Sequence, residues 1–127
     1  IYPKQNSSGH AIEFRINAED WEQNFTPNPG KISQWSSPKM AGVRIDTAVY
    51  EGYHVVPFYD SMIAKLIIHA DSRALALSKA RDAFRRFAIG GIKTTTGFHQ
   101  KMLRNDAFLK NEIYTRWVDE VFLGDNK

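Results

Sequence analysis

The sequence predicts one α+β domain, in which an antiparallel β-sheet from the first half of the chain packs with α-helices at the carboxy-terminal end. Residues 10–69 have the pattern of short strands broken by proline and glycine turns. Residues 72–123 have the pattern of helices. The 127 residues, 43% of them hydrophobic, suffice for a single core. We therefore expect one domain over 1–127, with residues 1–8 as a lead-in.

The first strands are indicated by alternation. Apolar and polar side chains alternate strictly through residues 10–18, which is typical of a half-buried strand. Two prolines and a glycine then break the chain. Residues 31–36 predict a weaker strand, for which Ile32 supplies the buried anchor.

Two further strands follow. Residues 43–46 alternate again, which places Arg44 and Asp46 together on the polar face. Residues 62–69 are apolar apart from Lys65, so the sequence predicts a central strand buried on both faces.

Helical spacing of apolar residues follows from residue 72 onward. Asp71 or Ser72 caps the first predicted helix, and the glycine pair at 90–91 ends it. A second helix is predicted over residues 96–104. A third ends at Gly124 and carries an apolar stripe of Tyr114, Trp117, Val118, Val121 and Phe122.

Composition excludes several classes of site. The chain has no cysteine, which suits a reducing, cytoplasmic setting, and no apolar run approaches the roughly 20 residues of a membrane span. The four histidines lack metal-ligand spacing, so no metal site is expected. The net charge is only +3, and the cluster of Arg81, Arg85 and Arg86 is interpreted as a solvated helix face rather than a nucleic-acid site.

General searches for catalytic motifs find neither a nucleophile elbow nor a phosphate-binding loop. Glu13 and Arg15 share a strand face, and the pattern favours a surface ion pair between them. Arg44 is the candidate binding residue, because a guanidinium fork binds small planar oxyanions through two hydrogen bonds. The pattern alone favours a salt bridge from Arg44 to Asp46, and both roles are compatible.

Five ordered segments carry a family resemblance. They are similar, in order and spacing, to the carboxy-terminal domain of biotin carboxylases, over about residues 9–122. The segments are GHAIEFRINAED at 9–20, NFTPNPGKI at 24–32, GVRID at 42–46, YDSMIAKLI at 59–67 and GIKT at 91–94. Their details resemble most the separate biotin carboxylase subunit of bacterial acetyl-CoA carboxylase, an enzyme of fatty acid biosynthesis.

The resemblance implies a ligase chemistry in the parent enzyme. ATP activates bicarbonate, and carbon dioxide passes to biotin attached to a carrier protein. The family binds ATP and magnesium in an ATP-grasp domain upstream of this region, whose motifs are absent from these 127 residues. The resemblance therefore implies an inactive fragment without cofactor-binding residues, and the start at Ile1 rather than Met agrees with a fragment. The implied partners are the ATP-grasp domain, the biotin carboxyl carrier protein, a carboxyltransferase and a second copy in a homodimer.

Arg44 is the catalytic and substrate-binding residue that the resemblance implies, with bicarbonate and the biotin ring as its ligands. Trp21 and residues 38–41 depart from the family pattern, and the second departure lies in the loop that leads to Arg44. The alternative to an enzyme fragment is a docking or assembly module derived from the same domain. Neither nucleic acid nor a membrane is an expected partner.

Overall fold

The structure is a computed structural model that describes residues 7–124, and it has the α+β architecture that the sequence predicts. Within these residues nine strands are present: β1 His10–Asn17, β2 Glu19–Asp20, β3 Thr26–Pro27, β4 Gly30–Lys31, β5 Gln34–Ser36, β6 Val43–Thr47, β7 His54–Val55, β8 Met62–Ala70 and β9 Ala88–Gly90. The helices are α1 Arg73–Arg85, α2 Thr96–Met102 and α3 Asp106–Leu109, with a 3-10 turn at Trp21–Gln23 and a π-helical turn at Val118–Phe122. The six amino-terminal residues of the expected lead-in lie outside the described residues.

The main sheet has three antiparallel strands in the order β1-β8-β6. The predicted central position of β8 is confirmed, with Leu66 paired to Phe14 on one side and to Ile45 on the other. The prediction that β8 is buried on both faces is wrong. Its even-numbered residues from Ala64 to Ala70 are buried, whereas His69 on the other face is exposed.

Helix α1 covers the buried face of the sheet. The rings of Phe14 and Phe84 meet edge to face at 5.2 Å inside this core. Ser72 is the amino-terminal cap, since its hydroxyl accepts a hydrogen bond from the Leu75 amide at 3.2 Å. One apolar layer between sheet and helix therefore fixes the orientation of all three strands.

The predicted end of α1 is wrong, because the helix stops at Arg85 and not at the glycine pair. Residues 88–90 instead form β9, which pairs antiparallel with β5. The Trp35 and Phe87 rings pack edge to face at 5.3 Å beside this pairing. Pairing with a strand more than fifty residues away thus satisfies backbone groups that a longer helix would have used.

The strand predicted over residues 31–36 is divided in two. β4 pairs with β7, β5 pairs with β9, and fully buried Ile32 lies between them. The prediction that Ile32 is a buried anchor is confirmed. The single continuous strand is wrong because each half has a different partner.

The carboxy-terminal segments form a second small core. Met102, Trp117 and Phe122 are buried together, as the apolar stripe predicts, but Tyr114 is 55% exposed and lies off that stripe. The guanidinium of Arg73 donates to the carbonyl oxygens of Phe108 and Leu109, at 2.7 Å each. This clamp fixes the end of α3 to the start of α1. Within residues 7–124, no helix has the length and apolar character needed to cross a bilayer.

Candidate functional site

The face of the main sheet that α1 does not cover carries the candidate site. We call it the open face, and it consists of alternate residues of the three strands: Glu13, Arg15, Arg44, Asp46, Lys65, Ile67 and His69. Strand register arranges most of these side chains in two rows across the sheet. One row is Arg15–Lys65–Asp46, and the next is Glu13–Ile67–Arg44.

Arg44 lies on the open face, as the alternation of β6 predicts. Its Nε is 3.1 Å from Oδ1 of Asp46, and its Nη2 is 3.2 Å from Oδ2. The salt bridge that the sequence favoured is therefore present, with the two-point geometry typical of arginine and carboxylate. The Arg44 side chain is 70% exposed, so this pair holds the guanidinium in place but adds little stability. The role of Arg44 toward an anion stays a prediction.

Arg15 is the feature of this face that the sequence did not single out. The expected ion pair with Glu13 is absent from the described residues, and the Arg15 guanidinium makes no hydrogen bond there. Its register partner across the strands is Lys65, whose ammonium group also lacks an ion pair within residues 7–124. Two cations thus stand side by side, while the carboxylate of the same row, Asp46, is engaged by Arg44.

The backbone beneath Arg15 is held firmly. Its carbonyl oxygen accepts a hydrogen bond from the buried Thr95 hydroxyl at 3.2 Å and is 2.8 Å from Nε2 of His99. The Asn17 amide donates to the same Thr95 hydroxyl at 3.0 Å. These contacts cap the outer edge of β1, so the Arg15 side chain projects from a strand that is fixed on both sides.

His99 has a structural role. Its ring contacts the rings of Phe14, Phe84 and Phe98, with centroid separations from 5.3 to 5.5 Å. Burial among these rings lowers the pKa of His99 below its usual value of 6.5, although the hydrogen bond to the Arg15 carbonyl acts in the opposite direction. His99 is therefore neutral at pH 7, which suits its place in the core.

The other acidic and basic candidates also have structural partners. Asp20 binds Lys93 at 3.1 Å, and Glu19 accepts a hydrogen bond from the Asn17 side chain at 2.9 Å. In the predicted solvated helix face, Arg85 pairs with Asp82, and the Arg81 guanidinium reaches the Leu103 carbonyl.

The ligand chemistry of the open face follows from its charges. In the part of the chain that the structure describes, no group of three or more His, Asp or Glu side chains is arranged to hold a metal ion. The open face can bind an oxyanion, because it offers two cations without carboxylate partners among the described residues and a third held in a fixed ion pair.

Comparisons with known proteins give a consistent result. The sequence model of the family described as biotin carboxylase C-terminal domain matches residues 13–120. One of the two pyruvate carboxylase chains of Methanothermobacter thermautotrophicus is 49% identical over 115 residues, which are 91% of this chain and 23% of that protein. Biotin carboxylase of Nostoc sp. is 48% identical over 113 residues, 89% of this chain and 25% of that protein.

Solved structures agree in fold. Biotin carboxylase from Campylobacter jejuni, in a complex with a form of ATP, superposes with a TM-score of 0.86 and 39% identity, over 94% of this chain and 27% of that one. The biotin carboxylase domain dimer of Hydrogenobacter thermophilus 2-oxoglutarate carboxylase, solved with MgADP and bicarbonate, gives a TM-score of 0.86 and 36% identity over 89% and 25%. The chain thus spans about a quarter of the length of these relatives.

Proposed function

The chain belongs to the biotin carboxylase C-terminal domain family, and from this we propose that it forms the carboxy-terminal part of an ATP-dependent biotin carboxylase. In this proposal the longer enzyme carboxylates biotin on a carrier protein with bicarbonate, and its upstream ATP-grasp domain binds ATP and magnesium. The 127 residues alone are inactive. The single observation that supports the proposal is an open face rich in cations, on a fold shared with carboxylases at 36–39% identity.

In the proposed role, the open face completes the active site by binding an anion. Arg15 and Lys65 have no carboxylate partner among the described residues, so bicarbonate can bind them without first displacing an ion pair. Arg44 is the residue that the resemblance indicates, and its bond to Asp46 orients the guanidinium until the anion binds. A hydrogen bond between such a cation and an anion contributes about 1.5–3 kcal/mol. Each cation that binds the anion therefore contributes roughly a tenfold to hundredfold effect.

We also propose the finer assignments. The enzyme acts in the cytoplasm as a homodimer, and delivers carboxylated biotin to a separate carboxyltransferase in the first half-reaction of acetyl-CoA carboxylase or a related enzyme. The high identity to a pyruvate carboxylase chain fits this view, because the carboxyltransferase and not this domain selects the acceptor.

The experiment that tests the proposed function is an assay of biotin-dependent ATP cleavage with bicarbonate and magnesium. We expect no cleavage by the 127-residue chain and clear cleavage by the longer enzyme. Cleavage by the short chain would contradict the proposal, because it would place the catalytic machinery within these residues. A longer enzyme that folds but lacks biotin-dependent activity would favour the docking module.

Two substitutions in the longer enzyme separate the roles of Arg44. If its guanidinium binds the anion, Arg44→Ala raises the KM for bicarbonate, whereas Asp46→Asn leaves the KM unchanged or lowers it by freeing Arg44. If the ion pair is purely structural, the two substitutions have the same effect, and the proposed role of Arg44 is wrong.

A further inference from the structure

The segment between β6 and β8 exposes an unusual group of apolar side chains. Phe58 is 83% exposed and Tyr59 is 81% exposed, and Val56 beside them is also exposed. We call these three residues the aromatic tip. Phenylalanine and tyrosine each bury about 150–250 Å² when they pack in a core or an interface. Contiguous apolar surface of this kind marks a binding surface for another protein segment.

The chain around the aromatic tip is shaped to present it. Asp60, the next residue, accepts a hydrogen bond from the Met62 amide at 2.8 Å and so fixes the start of β8. Pro57 restricts the backbone between Val56 and Phe58. A small notch of about 100 Å³ lies beside the tip, and Pro27 and Pro29 are among the residues that line it. The tip is therefore held outward beside a recess, a shape that suits an inserted side chain of a partner.

The position of the aromatic tip in the fold indicates the partner. The tip leaves the main sheet at the end where Thr47 pairs with Ala64 and Asn17 pairs with Met62. The next row inward on the open face contains Arg15 and Lys65. Whatever covers the tip therefore lies at the edge of the proposed anion site.

We propose that the aromatic tip is a docking surface for the upstream part of the longer enzyme. This inference rests on the proposed function. The chain accounts for about 25% of the length of its relatives, so most of such an enzyme lies outside these residues. Contact at the tip buries two aromatic rings and brings the upstream part against the Arg15–Lys65 row, closing the open face from one end.

Hydroxyl-radical footprinting with mass spectrometry tests this docking directly. The 127-residue chain and the longer enzyme are oxidised under identical conditions, and the modification rates of Phe58 and Tyr59 are compared. We expect protection of at least about tenfold in the longer enzyme, because ring atoms buried in an interface lose contact with solvent. Tyr114, which is 55% exposed at the opposite end of the sequence, is the internal control and should react equally in both.

A pair of substitutions gives an independent measurement. Phe58→Ser and Tyr59→Ser together should lower the melting temperature of the longer enzyme by several degrees and leave that of the 127-residue chain unchanged. Tyr114→Ser should affect neither protein. This comparison separates docking from folding, because a tip needed for the fold of the domain would destabilise both proteins.

Three results would overturn the inference. They are equal reactivity of the aromatic tip in both proteins, protection that extends equally to Tyr114, and protection in the short chain that grows with its concentration, which would indicate a second copy as the partner. These results are distinct from failure of the proposed function. A protected tip in an enzyme without biotin-dependent activity supports docking and refutes only the activity, whereas an exposed tip in an active enzyme does the reverse.

Discussion

Replacement of Arg73 should destabilise the domain more than replacement of any exposed arginine does. The Arg73 guanidinium donates to the carbonyl oxygens of Phe108 and Leu109 at 2.7 Å and lies over the Phe108 ring, with Cζ 5.4 Å from its centroid. These contacts join positions 35 and 36 residues apart in the sequence. Arg73 is thus the main polar link from the first helix to α3.

The magnitude follows from these contacts. A hydrogen bond from a charged donor contributes about 1.5–3 kcal/mol, and the value here is taken as about 1 kcal/mol each because water can reach the carbonyl oxygens after truncation. The cation–π contact adds roughly 0.5–1 kcal/mol. Arg73→Met should therefore cost about 2–3 kcal/mol, which lowers the melting temperature of a domain of this size by about 10 °C. Arg73→Lys retains one donor and should cost about half as much.

Thermal unfolding followed by circular dichroism measures this effect on the 127-residue chain. The matched control is Arg85→Met, since Arg85 makes only an ion pair to Asp82 with its side chain 75% exposed, an arrangement worth about 0–1 kcal/mol. Equal melting temperatures for Arg73→Met and Arg85→Met would refute the reasoning, because they would show that the clamp contributes no more than a surface pair.

Two further predictions concern stability. His99 has a lowered pKa in the folded state, so the unfolded state binds more protons below pH 6.5, and stability should decline as pH falls from 6.5 toward the folded pKa, by at most about 1.4 kcal/mol per pH unit. His99→Gln should flatten this slope in urea titrations across pH, whereas His54→Gln at an exposed position should not; identical slopes for all three proteins would contradict the account. Gly91 and Gly52 both have positive φ, +94° and +95°, but an added Cβ would collide with the Lys31 carbonyl oxygen at Gly91 and would meet open space at Gly52. Gly91→Ala should therefore prevent or strongly weaken folding while Gly52→Ala costs only about 1–2 kcal/mol, and equal chemical stability of the two variants would show that the close approach is relieved at no cost.

The main sheet was predictable because its strands carry their own signal. Alternation in residues 10–17 and 43–47 marks one buried and one polar face, and the apolar run at 62–70 marks the centre. The end of α1 and the division of residues 30–36 were not predictable in the same way. Both depend on pairing between β5 and β9, and neither segment contains information about the other.

The candidate site was predictable only in part. Alternation places Arg44 and Asp46 on one face, and their salt bridge follows from that spacing. The neighbouring cations Arg15 and Lys65 come from strands about fifty residues apart, and their juxtaposition depends on register, which a single sequence does not specify. The sequence pattern instead pairs Arg15 with Glu13, its neighbour on the same strand, and the described residues do not form that pair.

The most direct test of the open face as an anion site is the steady-state kinetics of the longer enzyme with Arg15→Ala, at varied bicarbonate concentration. Loss of a cation that contacts bicarbonate should lower kcat/KM for bicarbonate by about tenfold to hundredfold and leave the KM for ATP unchanged. Arg85→Ala, which removes an exposed arginine from α1, should behave as the unmodified enzyme does. An Arg15→Ala enzyme with unchanged kinetics for bicarbonate, or one whose KM for ATP rises in parallel, would contradict the account.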